Sequence, residues 1–312
     1  MRRLVPALLA LPFLSAAALA QDVLPVEEDQ RAIHRVVFSP DSKLLASSGT
    51  DTFVRIWDVS SKKLVAKLKG HTGDVNGIVF SPDGKTLYSG ELYKHTKAWD
   101  VATQKMLKSV EMPGGVYNLA VSPDGKKVYV GSREPWVYVW DPAGGAEDLP
   151  KLRSDNEVAA LAVSADGKLV VHIDGAGEVF LWNGDSGELI KRMKHAGYGN
   201  AIALAPDGKT VVTGSSDGSI KAWDAATGEP KAGFSCPDLD VRSLAYATSG
   251  KLIYAGLADG HVKVIDPATG AVKKDLTVAE GPVQTIAVSR DGKLLATGSL
   301  DFSLKIWPAP AP

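Results

Sequence analysis

Residues 213–224 read Thr-Gly-Ser-Ser-Asp-Gly-Ser-Ile-Lys-Ala-Trp-Asp (TGSSDGSIKAWD). Ile220-Lys-Ala-Trp223 alternates with the period of two expected of a strand, and Asp217-Gly218 ahead of it supplies hairpin-turn chemistry. Working outward, the full unit is LAPDGKTVVTGSSDGSIKAWD. Six more stretches align with it: FSPDSKLLASSGTDTFVRIWD, FSPDGKTLYSGELYKHTKAWD, VSPDGKKVYVGSREPWVYVWD, VSADGKLVVHIDGAGEVFLWN, YATSGKLIYAGLADGHVKVID and VSRDGKLLATGSLDFSLKIWP. Their penultimate residues are Trp57, Trp99, Trp140, Trp182, Trp223, Ile265 and Trp307, spaced 42, 41, 42, 41, 42 and 42 residues apart. So constant a period marks a repeat architecture.

Each copy reads as four strands. Pro-Asp-Gly or a variant joins the first two, because proline presets the first φ and glycine accepts a left-handed conformation. Asp-Gly or a substitute joins the next two. A further turn, D-x-x-T-G in Asp224 to Gly228 and Asp266 to Gly270, leads to a fourth strand such as Lys63 to Leu68. One such sheet cannot cover both its faces, and radial stacking solves this. The chain resembles the WD40 repeat family in its period and in Trp57-Asp58, Trp99-Asp100, Trp140-Asp141 and Trp223-Asp224. Trp182-Asn183, Ile265-Asp266 and Trp307-Pro308 depart from that ending. The expectation is an all-β, seven-bladed β-propeller of four-stranded antiparallel blades. Copies three and six also resemble YVTN-type surface-layer propellers.

Ring closure is read from the two ends. The last copy stops at Trp307, and Pro308-Ala-Pro-Ala-Pro312 cannot form a central strand. Asp22 to Glu27 (DVLPVE) is expected to supply the missing outer strand of blade seven, with Val26 aligned on Leu68. Residues 1–20 then read as a signal peptide, 21–307 as the propeller and 308–312 as a Pro/Ala tail.

The signal peptide rests on Met1-Arg2-Arg3, the apolar run Leu4 to Leu14, and the cleavage pattern Ala18-Leu19-Ala20. The run is short of the ~20 residues that span a bilayer. An exported, periplasmic or extracellular protein without membrane insertion is expected. The net charge of −1 and the absence of a Lys/Arg-rich run disfavour nucleic acid. Cys236, the single cysteine, cannot form an internal disulfide.

His195, Thr213 and Asp217 could suggest nucleophilic catalysis. The resemblance implies a different role, a bracing hydrogen-bond network of His195, Thr213, Asp217 and Trp223 in which Asp217 orients the imidazole. Partial echoes occur around the ring. Blade two keeps His71, Ser89 and Trp99 with Tyr93 for the aspartate; blade one keeps Ser47, Asp51 and Trp57 with Asp29 for the histidine; blade seven keeps Thr297, Asp301 and Trp307 with Ala279. A catalytic triad would not leave such echoes, and no G-x-S-x-G elbow, H-E-x-x-H, P-loop or G-x-G-x-x-G is present. The D-x-x-T-G turns resemble those of quinoprotein dehydrogenases, but Ala232 stands where those repeats carry a docking tryptophan. No cofactor, metal or catalytic residue is expected. Asn76, Glu157, Asn200 and Asp240 are the residues a channel metal would use.

By the same resemblance, partners dock on the face bearing the loop before the first strand and the loop between the second and third. Blades two and three abandon Asp-Gly in the latter loop for Glu91-Leu92-Tyr93-Lys94-His95 and Arg133-Glu134-Pro135-Trp136. Leu92, Tyr93, Tyr117, Arg133 and Trp136 are therefore the expected protein-binding patch, with Tyr198 and Arg242 on the same face. The function expected is a non-catalytic, monomeric platform for an unknown protein or peptide. The alternative is a propeller enzyme, or a binder of a small molecule or metal, that uses the central channel.

Overall fold

The computed structural model describes residues 22–25, 30–144, 151–235 and 240–310. The expected signal peptide, Val26, Asp29 and Cys236 lie outside them. Every regular element among the described residues is a strand, in seven antiparallel sheets of four. Blade one is Ile33–Phe38, Leu44–Gly49, Val54–Asp58 and Leu64–Leu68; blade five is Gly199–Leu204, Thr210–Ser215, Ser219–Asp224 and Pro230–Ser235. The first strands of successive blades pack side by side around a central axis.

Local chemistry explains the blade. Ser39, Ser81, Ser122, Ser164 and Ser289 each donate a hydroxyl proton at 2.6 Å to the aspartate two residues on, fixing the turn between the first two strands. The residue after proline and aspartate has φ near +70°, as in Gly84 and Gly125, which glycine accepts without strain. Between blades lie apolar interfaces. Ala46, Val54 and Ile56 of blade one, for example, meet Phe80, Leu87 and Trp99 of blade two in one buried cluster. Each first strand carries a bulge after its first residue, as between Ile33 and Arg35, which turns the next side chains toward the axis.

The N-terminal strand Asp22–Val23 pairs with the last strand, Leu304–Pro308, as Asp22↔Ile306 and Val23↔Lys305. The closure is as expected, but its register is not. In blade one, Arg55 pairs with Lys67 and Val54 with Leu68. Leu24, whose N–H donates to the Leu304 carbonyl at 3.0 Å, therefore holds the place of Leu68 that was expected of Val26. A slip of two residues keeps the same side chains inward. It puts the fully buried Leu24 in the core and leaves Pro25, which has no N–H to donate, beyond the ladder. The C-terminal prolines also begin inside the fold. Pro308 pairs with Leu294, Ala309 donates to the Lys293 carbonyl at 2.7 Å, and the Pro310 carbonyl accepts the Tyr254 hydroxyl at 3.1 Å. Proline is tolerated there because the N–H it lacks would face the sheet edge.

Candidate functional site

Blade five joins its four polar residues through a fifth. The Trp223 indole donates to Thr213 Oγ1 at 2.9 Å, and Thr213 Oγ1 lies 2.7 Å from His195 Nδ1. His195 Nε2 lies 2.6 Å from Ser219 Oγ, which donates to Asp217 Oδ1 at 2.5 Å. One proton arrangement satisfies them all. The carboxylate only accepts, so Ser219 donates to it and accepts from His195 Nε2–H. Nδ1 is then bare and takes the Thr213 proton, leaving Thr213 Oγ1 to accept the indole. The imidazole is neutral, as burial requires when it lowers the His195 pKa to about 4. This corrects the expected role of Asp217, which reaches the histidine only through Ser219 and is itself exposed. His195 and Thr213 are fully buried, so no substrate can meet the hydroxyl.

The other blades vary the theme. Each tryptophan that finds an acceptor finds it ten residues earlier: Trp57 on Ser47, Trp99 on Ser89, Trp307 on Thr297 and Trp182 on His172 Nδ1. His172 was not foreseen in that part. Burial lowers its pKa to about 3, so it stays a neutral acceptor. In blade two the missing aspartate is replaced by Glu91, not foreseen either. This fully buried carboxylate accepts the backbone N–H groups of Thr72 at 2.6 Å and Gly73 at 2.8 Å, and stands 3.0 Å from His95 Nδ1.

The expected binding residues divide into two groups. Tyr117 and Arg242 line the axial channel, a cavity of about 240 Å³. Every blade contributes to its lining, blade one through His34 and Arg35 and the others through Asn76, Tyr117, Ala159, Asn200, Arg242 and Gln284. Arg242 Nη2 pairs with Asp240 at 2.7 Å, and Asn200 Nδ2 donates to the same carboxylate at 2.5 Å. Tyr198 is exposed and donates its hydroxyl proton to Glu157 at 2.9 Å. Burial of the phenol, with that acceptor second, holds it up at about 12. Asn76, Glu157, Asn200 and Asp240 are thus divided between the channel wall and these pairings, and among the described residues no cluster of three His, Cys, Asp or Glu is placed to hold a metal.

The second group lies at the rim of blades two and three. The Tyr93 side chain is 64% exposed and its ring packs over Gly73. Arg133 is exposed, and its N–H donates to the Gly115 carbonyl at 2.8 Å. The Leu92 carbonyl also presses on Gly115, where a Cβ would lie 2.5 Å from it. The turns of the two blades therefore meet at Gly115. Trp136 is half-buried, packs toward the interface of blades two and three, and carries the Lys151 ammonium 4.3 Å above its ring.

The comparisons agree with this geometry. The family model described as "WD domain, G-beta repeat" matches residues 24–58, 62–100 and 105–141, and one described as "Outer membrane protein assembly factor BamB" matches residues 150–298. The chain is similar to the general transcriptional corepressor TUP1 of Saccharomyces cerevisiae, at 41% identity over 66 residues, 20% of this chain and 9% of that protein. It is also similar to the human U5 small nuclear ribonucleoprotein 40 kDa protein, at 35% identity over 51 residues, 16% of this chain and 14% of that one. The matched stretches thus span about a tenth of these curated relatives. Period, blade geometry and the three matched repeats agree: the chain is a seven-bladed β-propeller whose first three blades match the WD40 repeat model.

Proposed function

We propose that this propeller is a non-catalytic platform that binds a protein or peptide, working outside the cytoplasm. The observation that carries the reading is the rim of blades two and three, where Tyr93 and Arg133 stand exposed on turns that meet at Gly115. Exposed aromatic and arginine side chains are the usual anchors of interfaces. The sealed Thr213 and His195 leave the catalytic alternative without an accessible nucleophile in blade five. The printed names of the matched proteins, a corepressor, a ribonucleoprotein component and an outer membrane protein assembly factor, support a role among macromolecules. Export rests on the pattern Met1 to Ala20.

The test has two parts. N-terminal sequencing of the protein expressed in a bacterial host should find Gln21 as the first residue, in the periplasmic fraction. Tagged wild type and a Tyr93→Ala, Arg133→Ala variant with an unchanged melt are then used for capture from the envelope of the source cells. Loss of a specific co-purifying protein in the variant supports the platform; identical capture by both removes the rim from it.

A further inference from the structure

The axial channel holds a charge that the fold does not neutralise. At the bulge of each first strand the second residue lines the channel, and the third comes next in the strand. In six blades that third residue is short: Gly77, Asn118, Ala160, Ala201, Ser243 and Thr285. In blade one it is Arg35, which also lines the channel. Its one side-chain hydrogen bond among the described residues is a long contact, 3.5 Å from Nε to the Asn76 carbonyl. Burial lowers its pKa to about 10, and no carboxylate offsets that shift. The carboxylates that bear on this corner, Asp74 and Asp51, act on His34, and Asp51 is itself held by Arg55 at 2.7 Å.

The other arginine of the channel is already matched. Arg242 pairs with Asp240, so the two cancel and Arg35 leaves a single positive charge. Around it the wall offers Asn76, Gln284 and Tyr117, and three buried atoms have no partner among the described residues: His34 Nε2, Arg242 Nε and Gln284 Oε1. A volume of about 240 Å³ equals about eight waters at roughly 30 Å³ each. That admits a small charged group and not a folded segment. A guanidinium takes a carboxylate through two parallel N–H bonds.

We propose that the channel mouth is a binding site for one carboxylate group, held by the Arg35 guanidinium and oriented by Asn76, Gln284 and Tyr117. The single unmatched charge is neutralised by a monoanion such as a carboxylate. The carboxylate belongs either to a small organic acid or to an acidic side chain of a bound peptide, and two probes separate these sources.

Wild type and Arg35→Gln are titrated calorimetrically at pH 7 and constant ionic strength with sodium propionate, neutral propionamide, inorganic phosphate and a blocked acetyl-Gly-Glu-Gly-amide peptide. Saturable heat with propionate, absent with propionamide and at least tenfold weaker in Arg35→Gln, supports the site with a free acid as ligand. Heat with the peptide alone, lost in the same variant, supports it with a peptide as source. Silence from both carboxylates, an undiminished response in Arg35→Gln, or tighter binding of phosphate overturns the proposal. Should Arg35→Gln melt early, the comparison of propionate with propionamide on wild type still decides. The site stands apart from the platform reading, because loss of capture through Tyr93 and Arg133 would leave these titrations unchanged.

Discussion

Trp140 and Val130 face each other in blade three, an indole N–H opposite an isopropyl group. Val128 pairs with Trp140 as Val211 pairs with Trp223, so Val130 occupies the place of Thr213. The fully buried Trp140 Nε1 consequently has no acceptor among the described residues. A buried unpaired donor costs ~1–3 kcal/mol. Val130→Thr should restore the bond found in five sibling blades and raise the unfolding free energy by about 1 kcal/mol. The same change at the buried Val170, which faces Trp182 in the other register, should lower it. Urea unfolding of both variants checks the pair, and two losses of equal size would show that the indole is not the limiting group.

The relay of blade five has an order of importance. Thr213→Val removes the partner of both the indole and the imidazole and should cost about 2–3 kcal/mol, while Asp217→Ala, at the exposed end, should cost about 1 kcal/mol or less. Ser219→Ala should fall between them. If Asp217→Ala proved the most damaging in denaturant melts, the relay through Ser219 would be wrong.

The closing strand rests on Leu24. Leu24→Ala removes a fully buried side chain and should cost about 2–5 kcal/mol. Val23→Ala, whose side chain is more than half exposed, should cost little. Thermal melts that rank the two the other way would place the strand in a different register.

Three turns on the binding face hold non-glycine residues in the left-handed region: Thr52 at φ 67°, Lys94 at 75° and Phe302 at 73°. Sibling blades put Gly177, Gly218 and Gly260 there. The left-handed conformation costs roughly 1–2 kcal/mol for a side-chain residue, and more for a β-branched one. Thr52→Gly and Lys94→Gly should each raise stability by about 1 kcal/mol, Thr52→Gly the more. A drop in the urea midpoint would mean that these side chains contribute contacts exceeding the strain.

Acid should loosen the ring before its carboxylates titrate. Burial lowers His71 and His195 to about 4 and His172 to about 3, below the ~6.5 of an unfolded histidine. The unfolded chain therefore binds protons first. Stability is complete above about pH 6.5 and falls as pH drops toward 4, by up to about 1.4 kcal/mol per unit for each histidine. His172→Phe should flatten that slope between pH 6 and 4.5. A slope identical to wild type would show that His172 titrates alike in both states.

Much of this was legible because tryptophan at a fixed period imposes blade count, strand order and closure together. The register of closure was not, since Leu24 and Val26 share a face and only the ladder to Leu304 separates them. Ser219 belongs to no motif, and a hydroxyl two residues after Asp217 is brought to the imidazole only by the turn. Glu91 was read as part of a loop, though a carboxylate ending a strand can cap the N–H groups of the loop beside it. His172 did leave a signal: it precedes Trp182 by the ten residues that separate Ser47 from Trp57. In the channel, Tyr117 and Arg242 were expected on the binding face and Asn76 and Asn200 at the channel, but Arg35 was not expected there. Its direction depends on a bulge, which alternation alone does not show.

The pairing of Leu24 with Leu304 also constrains the order of events as the chain is made. Residues 22–24 are made long before residues 304–306, so the outer edge of blade seven stays open until both segments have been synthesised. Six blades can stack as they emerge, but the seventh takes its outer strand from a segment made before the first blade. The propeller is therefore locked in one late step, and until that step it remains a chain of sheets that can still be threaded.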